Sequence, residues 1–196
     1  MFIALEGIDG SGHTTQAHAL AKELERKGRS VCVTAQPSTG PIGKIIRDFL
    51  QGRVGDFKNF QEAITLLFAA DRLHHYGTEI KPKLDIGMDV ICDRYVLSSW
   101  VYQGLKVSED WVRRANQFAP LPDLTLIIDT PIQTAKQRRD TRGGIEEIYE
   151  VQYLQETIRD RYLELALSIH AVVVDGSGTP EEVTKLLSKA VNKVLV

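Results

Sequence analysis

The sequence predicts an α/β fold, a five-stranded parallel sheet with helices on both faces. Three observations lead there. Five short runs are nearly continuously apolar and β-branched, helical patterns alternate with them, and the first turn from strand to helix is rich in glycine. Unbroken apolar strands are what a sheet covered on both faces requires, and strand–helix alternation is the mark of parallel crossovers.

The strands are expected at Phe2–Glu6, Ser30–Thr34, Asp89–Asp93, Leu124–Asp129 and Ala171–Asp175. After the first comes a helix whose stripe is Ala17, Leu20, Ala21 and Leu24, closed by Gly28. Thr130-Pro131 opens a helix after the fourth strand. Thr179-Pro180-Glu181-Glu182 opens the last one, with an N-cap, a first-turn proline and a capping-box glutamate. Val183, Leu186, Leu187, Ala190 and Val194 are expected to be its apolar face. With no repeat, low-complexity tract or linker, residues 1–196 are expected to form a single domain.

Between strand one and helix one lies Gly7-Ile8-Asp9-Gly10-Ser11-Gly12-His13-Thr14-Thr15, which has the spacing of a phosphate loop, with His13 where lysine is expected. Glycines let backbone N–H groups turn inward around phosphate oxygens, aided by the positive end of the helix dipole. Thr14 brings a hydroxyl suited to Mg²⁺. Residues 7–15 are therefore the expected ATP site. Strand three ends in Asp93-Arg94; beyond a strand's carboxyl end, Asp93 can hold Mg²⁺ through water and Arg94 a phosphate. The third landmark is basic. Arg138, Arg139 and Arg142 can share one helical edge before Gly143-Gly144. They suggest a lid over about residues 138–150 that delivers positive charge to a transferring phosphoryl group. A solvated helix face is the alternative reading of that run.

A net charge of −2 gives no footprint for nucleic acid, so any nucleotide partner is expected to be a small molecule. No apolar run approaches the roughly 18 residues of a membrane span, and the opening MFIALEG resembles no secretory signal, so the cytoplasm is expected. Cys32 and Cys92 sit in apolar runs and read as core residues.

These residues resemble the thymidylate kinase family over most of the chain. The matching segments are FIALEGIDGSGHTTQ from Phe2, PIGKIIR from Pro41, LFAADR from Leu67 and DRYVLSSWVYQG from Asp93. The resemblance implies the phosphate-loop fold of nucleoside-monophosphate kinases, with a short arginine-bearing lid. It also implies transfer of the ATP γ-phosphate to dTMP, with Mg²⁺ and in a homodimer built partly on the helix around Ala63–Leu73. By resemblance, Asp9 meets the sugar 3′-hydroxyl, Phe68 stacks on thymine and Arg72 reads the base edge. Arg94 holds the acceptor phosphate, Ser99 and Gln103 line the base pocket with Pro37 beside it, and Tyr102 fills the place of a 2′-hydroxyl. The catalytic set so implied is His13, Arg94, Arg138, Arg139 and Arg142. Phe68 and Arg72 lie four apart, so a helix presents them side by side.

Two departures stand out. His13 replaces the loop lysine, and Ala35-Gln36-Pro37 replaces the Arg-Glu-Pro usual in the family. They leave two alternatives open, a kinase of broader deoxynucleotide range and a nucleotide-binding protein of weak activity.

Overall fold

The computed structural model describes residues 1–53, 60–142 and 152–194. In it β1 (Phe2–Gly7), β2 (Val31–Ala35), β3 (Asp89–Asp93), β4 (Leu124–Asp129) and β5 (Val172–Asp175) form one parallel sheet in the order β2-β3-β1-β4-β5. The helices are α1 (His13–Arg26), α2 (Pro41–Leu50), α3 (Gln61–His75), α4 (Lys81–Asp85), α5 (Val96–Tyr102), α6 (Glu109–Ala115), α7 (Ile132–Arg142), α8 (Gln152–Ser168) and α9 (Pro180–Val194). A π-helical turn, Tyr76–Ile80, joins α3 to α4. The fold is the predicted α/β class, and its five strands fall within one residue of the expected bounds.

The alternation of β1 divides the core in two. Ile3 and Leu5, with Ile91, Leu126 and Ile128, pack under Ala17, Leu20 and Leu24 of α1 and Val183 and Leu187 of α9. Phe2 and Ala4, with Val90, Cys92 and Ile127, face α2, α3, α5 and α8 through Ile46, Ile64, Val101 and Tyr162. Leu20 is fully enclosed, so truncating it to alanine costs roughly 2–5 kcal/mol.

The ends of the helices follow from local chemistry. Gly28 turns α1 off at φ 82°, a left-handed conformation free of penalty only for glycine. Thr179 N–H donates to Glu182 Oε2 at 2.8 Å, and Glu182 N–H returns a bond to Thr179 Oγ1 at 3.3 Å, the capping box expected at α9.

Two expectations need correction. The edge strands are not covered on both faces. β2 is only partly buried, and Val172 and Val173 of β5 are 37% and 43% exposed, because an outer strand has a neighbour on one side and less helix above and below it. On α9, Leu186 and Val194 face outward and Val191 is buried instead, since the helix turns a narrower stripe to the sheet than its apolar content suggests. Cys92 is buried and Cys32 half-buried, both as free thiols.

Candidate active site

The phosphate loop is built by strand β1 ending where it does. Gly10 has φ 86°, and a Cβ there would lie 2.3 Å from the Ala135 carbonyl oxygen of α7, so only glycine fits. Helix α1 opens at His13 without a side-chain cap. The amides of its first turn, from His13 to Thr15, consequently have no partner within the helix and are available to an anion.

Asp93, at the end of β3, reaches back to this loop. His13 Nδ1–H donates to Asp93 Oδ1 at 2.5 Å, and Thr14 Oγ1–H donates to Asp93 Oδ2 at 2.6 Å. Burial would raise the Asp93 pKa, yet the His13 charge, these two bonds and Arg94 together hold it down at about 2. It is a permanent carboxylate beside a hydroxyl, a set of hard oxygen donors of the kind that suits Mg²⁺. Among the described residues no cluster of three or more His, Cys, Asp and Glu side chains forms an all-protein metal cage.

Arg94 follows Asp93 at φ 64°, a left-handed conformation that a long side chain adopts at a cost of about 1–3 kcal/mol. The turn aims its guanidinium over the loop. Nη2–H donates to Asp9 Oδ1 at 2.5 Å, Nη1–H reaches Ser98 Oγ and Tyr162 Oη, and the Tyr102 ring lies 5.2 Å beneath. Burial opposes charge on both Arg94 and Asp9. Tyr102, Asp9, Tyr162 and Asp93 outweigh it at Arg94, whose pKa is raised, and Arg94 with His13, Gln155 and Tyr102 outweighs it at Asp9, whose pKa is lowered.

Beside the loop opens a cavity of about 250 Å³. Asp9, Pro37, Phe68, Arg72, Arg94, Ser99, Tyr102 and Gln103 all line it, together with His13 and Asp93. Every acceptor-site residue expected from the sequence is thus gathered at one place. Arg72 is fully buried. Its Nε–H donates to Gln36 Oε1 at 3.0 Å, one Nη1–H to Asn116 Oδ1, and Nη2 to Tyr95 O and Ser99 Oγ at 3.2 and 2.9 Å. Among the described contacts this leaves one Nη1–H uncommitted.

A second cavity, of about 510 Å³, lies on the other side of the loop. It is lined by Gly10 to Gln16, Arg138, Arg139, Gly178, Pro180 and Val183. Arg138 and Arg139 both reach the loop. Arg138 donates to Ser11 O, Gly176 O and Gly178 O, while Arg139 Nη1–H donates to Asp9 O at 2.5 Å. The backbone of Arg142 ends α7. Its side chain, and the remainder of the expected lid at 143–150, lie outside the described residues.

The sequence reading gave no role to several residues that shape this site. Arg47 donates to Pro37 O at 2.6 Å and to Ser38 O, and Asp71 accepts from Ser38 N–H and Oγ–H at 2.7 and 2.6 Å. A Cβ on Gly43 would fall 2.0 Å from Ser38 O, so α2 packs on this turn through glycine. Glu6, wholly buried, accepts from Tyr95 N–H, Ser98 Oγ–H and Tyr162 Oη–H. A lone acid inside an apolar strand was the one signal available for it.

A parallel sheet with a glycine-rich loop at its carboxyl edge, and a cavity on each side of that loop, is the layout of an α/β protein of the phosphate-loop class. The family described as Thymidylate kinase matches residues 5–187. A probable thymidylate kinase of Pyrococcus abyssi is 40% identical over 186 residues, covering 93% of this chain and 91% of that protein. The probable thymidylate kinase of Pyrobaculum aerophilum is 40% identical over 196 residues, covering 99% and 97%. That of Pyrococcus horikoshii is 43% identical over 168 residues, covering 84% and 82%. The chain belongs to the thymidylate kinase family.

Proposed function

We propose that the protein transfers the γ-phosphate of ATP to dTMP, giving ADP and dTDP. The observation that carries this is the pair of cavities meeting at the phosphate loop, with His13 in the lining of both. One offers backbone amides and arginines to a polyphosphate. The other offers Phe68 as a stacking face, Arg72 as a donor to a base carbonyl and Arg94 as a phosphate partner. The acceptor phosphate is already an anion, so alignment and positive charge suffice and no strong base is needed.

Thr14 and Asp93 would hold Mg²⁺, which when bound offsets charge on the β- and γ-phosphate oxygens. Asp9, bonded to Arg94 and 3.3 Å from Tyr102 Oη, would meet the sugar 3′-hydroxyl. His13, Arg94, Arg138, Arg139 and Arg142 supply the remaining charge. A homodimer is part of the proposal, supported by Leu66 and Leu73, 53% and 41% exposed on one side of α3 with Ala70 between them. So is a cytoplasmic setting, where two unpaired cysteines stay reduced. No helix among the described residues is long and apolar enough to cross a membrane.

The test is steady-state ADP release with ATP and Mg²⁺ over dTMP, dUMP, dCMP and dGMP. A kcat/KM for dTMP well above the rest is expected, and equal values would establish the broader kinase instead. A second reading, weak activity, rests on the Nδ1 of His13 being engaged by Asp93. His13→Lys puts a permanent cation on a longer stem. A rise in kcat of several orders would support that reading, and a similar kcat would remove it.

A further inference from the structure

Arg72, Gln36 and His75 form a hydrogen-bond chain whose polarity is fixed by chemistry alone. A guanidinium only donates, so the Gln36 atom that meets Arg72 Nε–H at 3.0 Å must be its carbonyl oxygen. The amide nitrogen is then left for His75, whose Nδ1 lies 3.2 Å away. An amide nitrogen also only donates, so Nδ1 carries no proton. The imidazole proton sits on Nε2, 2.8 Å from Thr34 Oγ1. Gln36, Arg72 and His75 are all buried, so a misdirected donor or acceptor among them is costly.

We propose that His75 is a positioning residue for Arg72, and that through Gln36 it weakens recognition of the nucleobase when it is protonated in acid. The inference rests on the proposed reading that Arg72 faces the base. A proton on Nδ1 would set two donors against each other across the Gln36 amide. The amide must turn over, presenting its NH₂ to Arg72 Nε–H, and the guanidinium loses its acceptor and moves. A carboxylate at position 36 would accept from both neighbours in either state of His75. The sensitivity therefore belongs to the glutamine of this chain.

The groups facing His75 are Glu79 on the π-helical turn, with Oε2 3.4 Å from Nε2, Asp71 and Arg72 on α3, Thr34 on β2, and Gln36. Burial lowers the imidazole pKa, Glu79 and Asp71 push it up, and Arg72 lowers it again; the net direction is downward. His75 is thus neutral at pH 7 and takes its proton below the ordinary value of about 6.5.

Thymidine is the probe, because it lacks a phosphate that titrates in the same range. Its dissociation constant is measured by calorimetry between about pH 5 and 8 for the parent, Gln36→Glu, His75→Gln and Arg72→Ala. For the parent, binding should weaken as His75 takes its proton at the acid end of the range, by about tenfold once it is fully protonated, the loss of a buried charged hydrogen bond. In that limb, thymidine binding should release a proton. Gln36→Glu and His75→Gln should each flatten the limb and abolish proton release; either suffices if the other does not fold. A parent with no acid limb, or a limb retained in a folded variant, overturns the proposal while a weakened Arg72→Ala leaves the base pocket standing. Thymidine binding unchanged in Arg72→Ala overturns the underlying reading as well.

Discussion

The two cavities that meet at His13 are made in different ways. The one beside α3 is walled by side chains held by other side chains. Arg72 is fixed by Gln36, Asn116 and Ser99, Arg94 by Asp9, Ser98 and Tyr162. The one beside α7 is walled mostly by backbone. Its shape comes from glycine dihedrals and the start of α1, and its two described arginines are tied to carbonyl oxygens of the loop and of the β5–α9 turn. A wall of interlocked side chains can read the identity of a ligand, since each donor has one place to be. A wall of amides reads only that a phosphate is present. Recognition of the acceptor should therefore be sensitive to side-chain replacement on one side, and rate to charge delivered from the other.

The largest expected effect tests the rate half. Arg142→Ala should lower kcat by about 10³-fold with little change in either KM, the pattern of a charge that acts in the transition state. Equal kcat in variant and parent would return the end of α7 to a solvated face. The recognition half is tested by Phe68→Ala. Loss of stacking, roughly 1–3 kcal/mol, should raise the dissociation constant for dTMP about five- to 150-fold and leave that for ATP unchanged. A weakened ATP affinity would show that the two cavities are not separable. Tyr102→Ala sharpens the same point. Opening the space beside the sugar should improve kcat/KM for the ribonucleotide relative to dTMP by about tenfold, and an unchanged ratio assigns the discrimination elsewhere.

The remaining test lies at the boundary between the two. Asp93 has a folded-state pKa of about 2 against an ordinary 3.8, so its ionised form contributes stability above about pH 4 that is lost as pH falls toward 2. The shift corresponds to about 2 kcal/mol. In acid denaturation the difference in unfolding free energy between parent and Asp93→Asn should narrow by that amount over this interval. A constant difference would mean that His13 and Thr14 do not bind the carboxylate in solution.

Much of this was legible before any coordinates. The strands could be read because β1, β3 and β4 are buried on both faces and leave polarity no place to alternate. The phosphate loop could be read because its spacing and its position after β1 are local. The acceptor cavity was reached through a resemblance, with its residues lying on a loop, α3, α5 and the turn after it. What stayed hidden depends on pairs far apart in sequence. Asn116 meets Arg72 across 44 residues, and Glu6 meets Tyr162 across 156. Gln36 was visible only as a departure from the family pattern. Its partners, Arg72 and His75, follow from α3 crossing the turn after β2. The exposure of β5 escaped because an apolar run does not announce whether it sits at the middle or the edge of a sheet.

The closeness of Gly10 to Ala135 has a mechanical consequence. With no Cβ between them, and with Thr130, Arg138 and Arg139 each bonded to a loop carbonyl, the phosphate loop and α7 form one lever. A polyphosphate that settles into the amides and shifts the loop by a fraction of an ångström must carry α7 with it, because packed interiors yield by moving whole elements. On the proposed function, the near end of that lever would meet the donor nucleotide, and its far end is where the backbone of Arg142 ends α7. Occupancy of the loop and the position of that helix end would then be geared together, with no messenger needed between them.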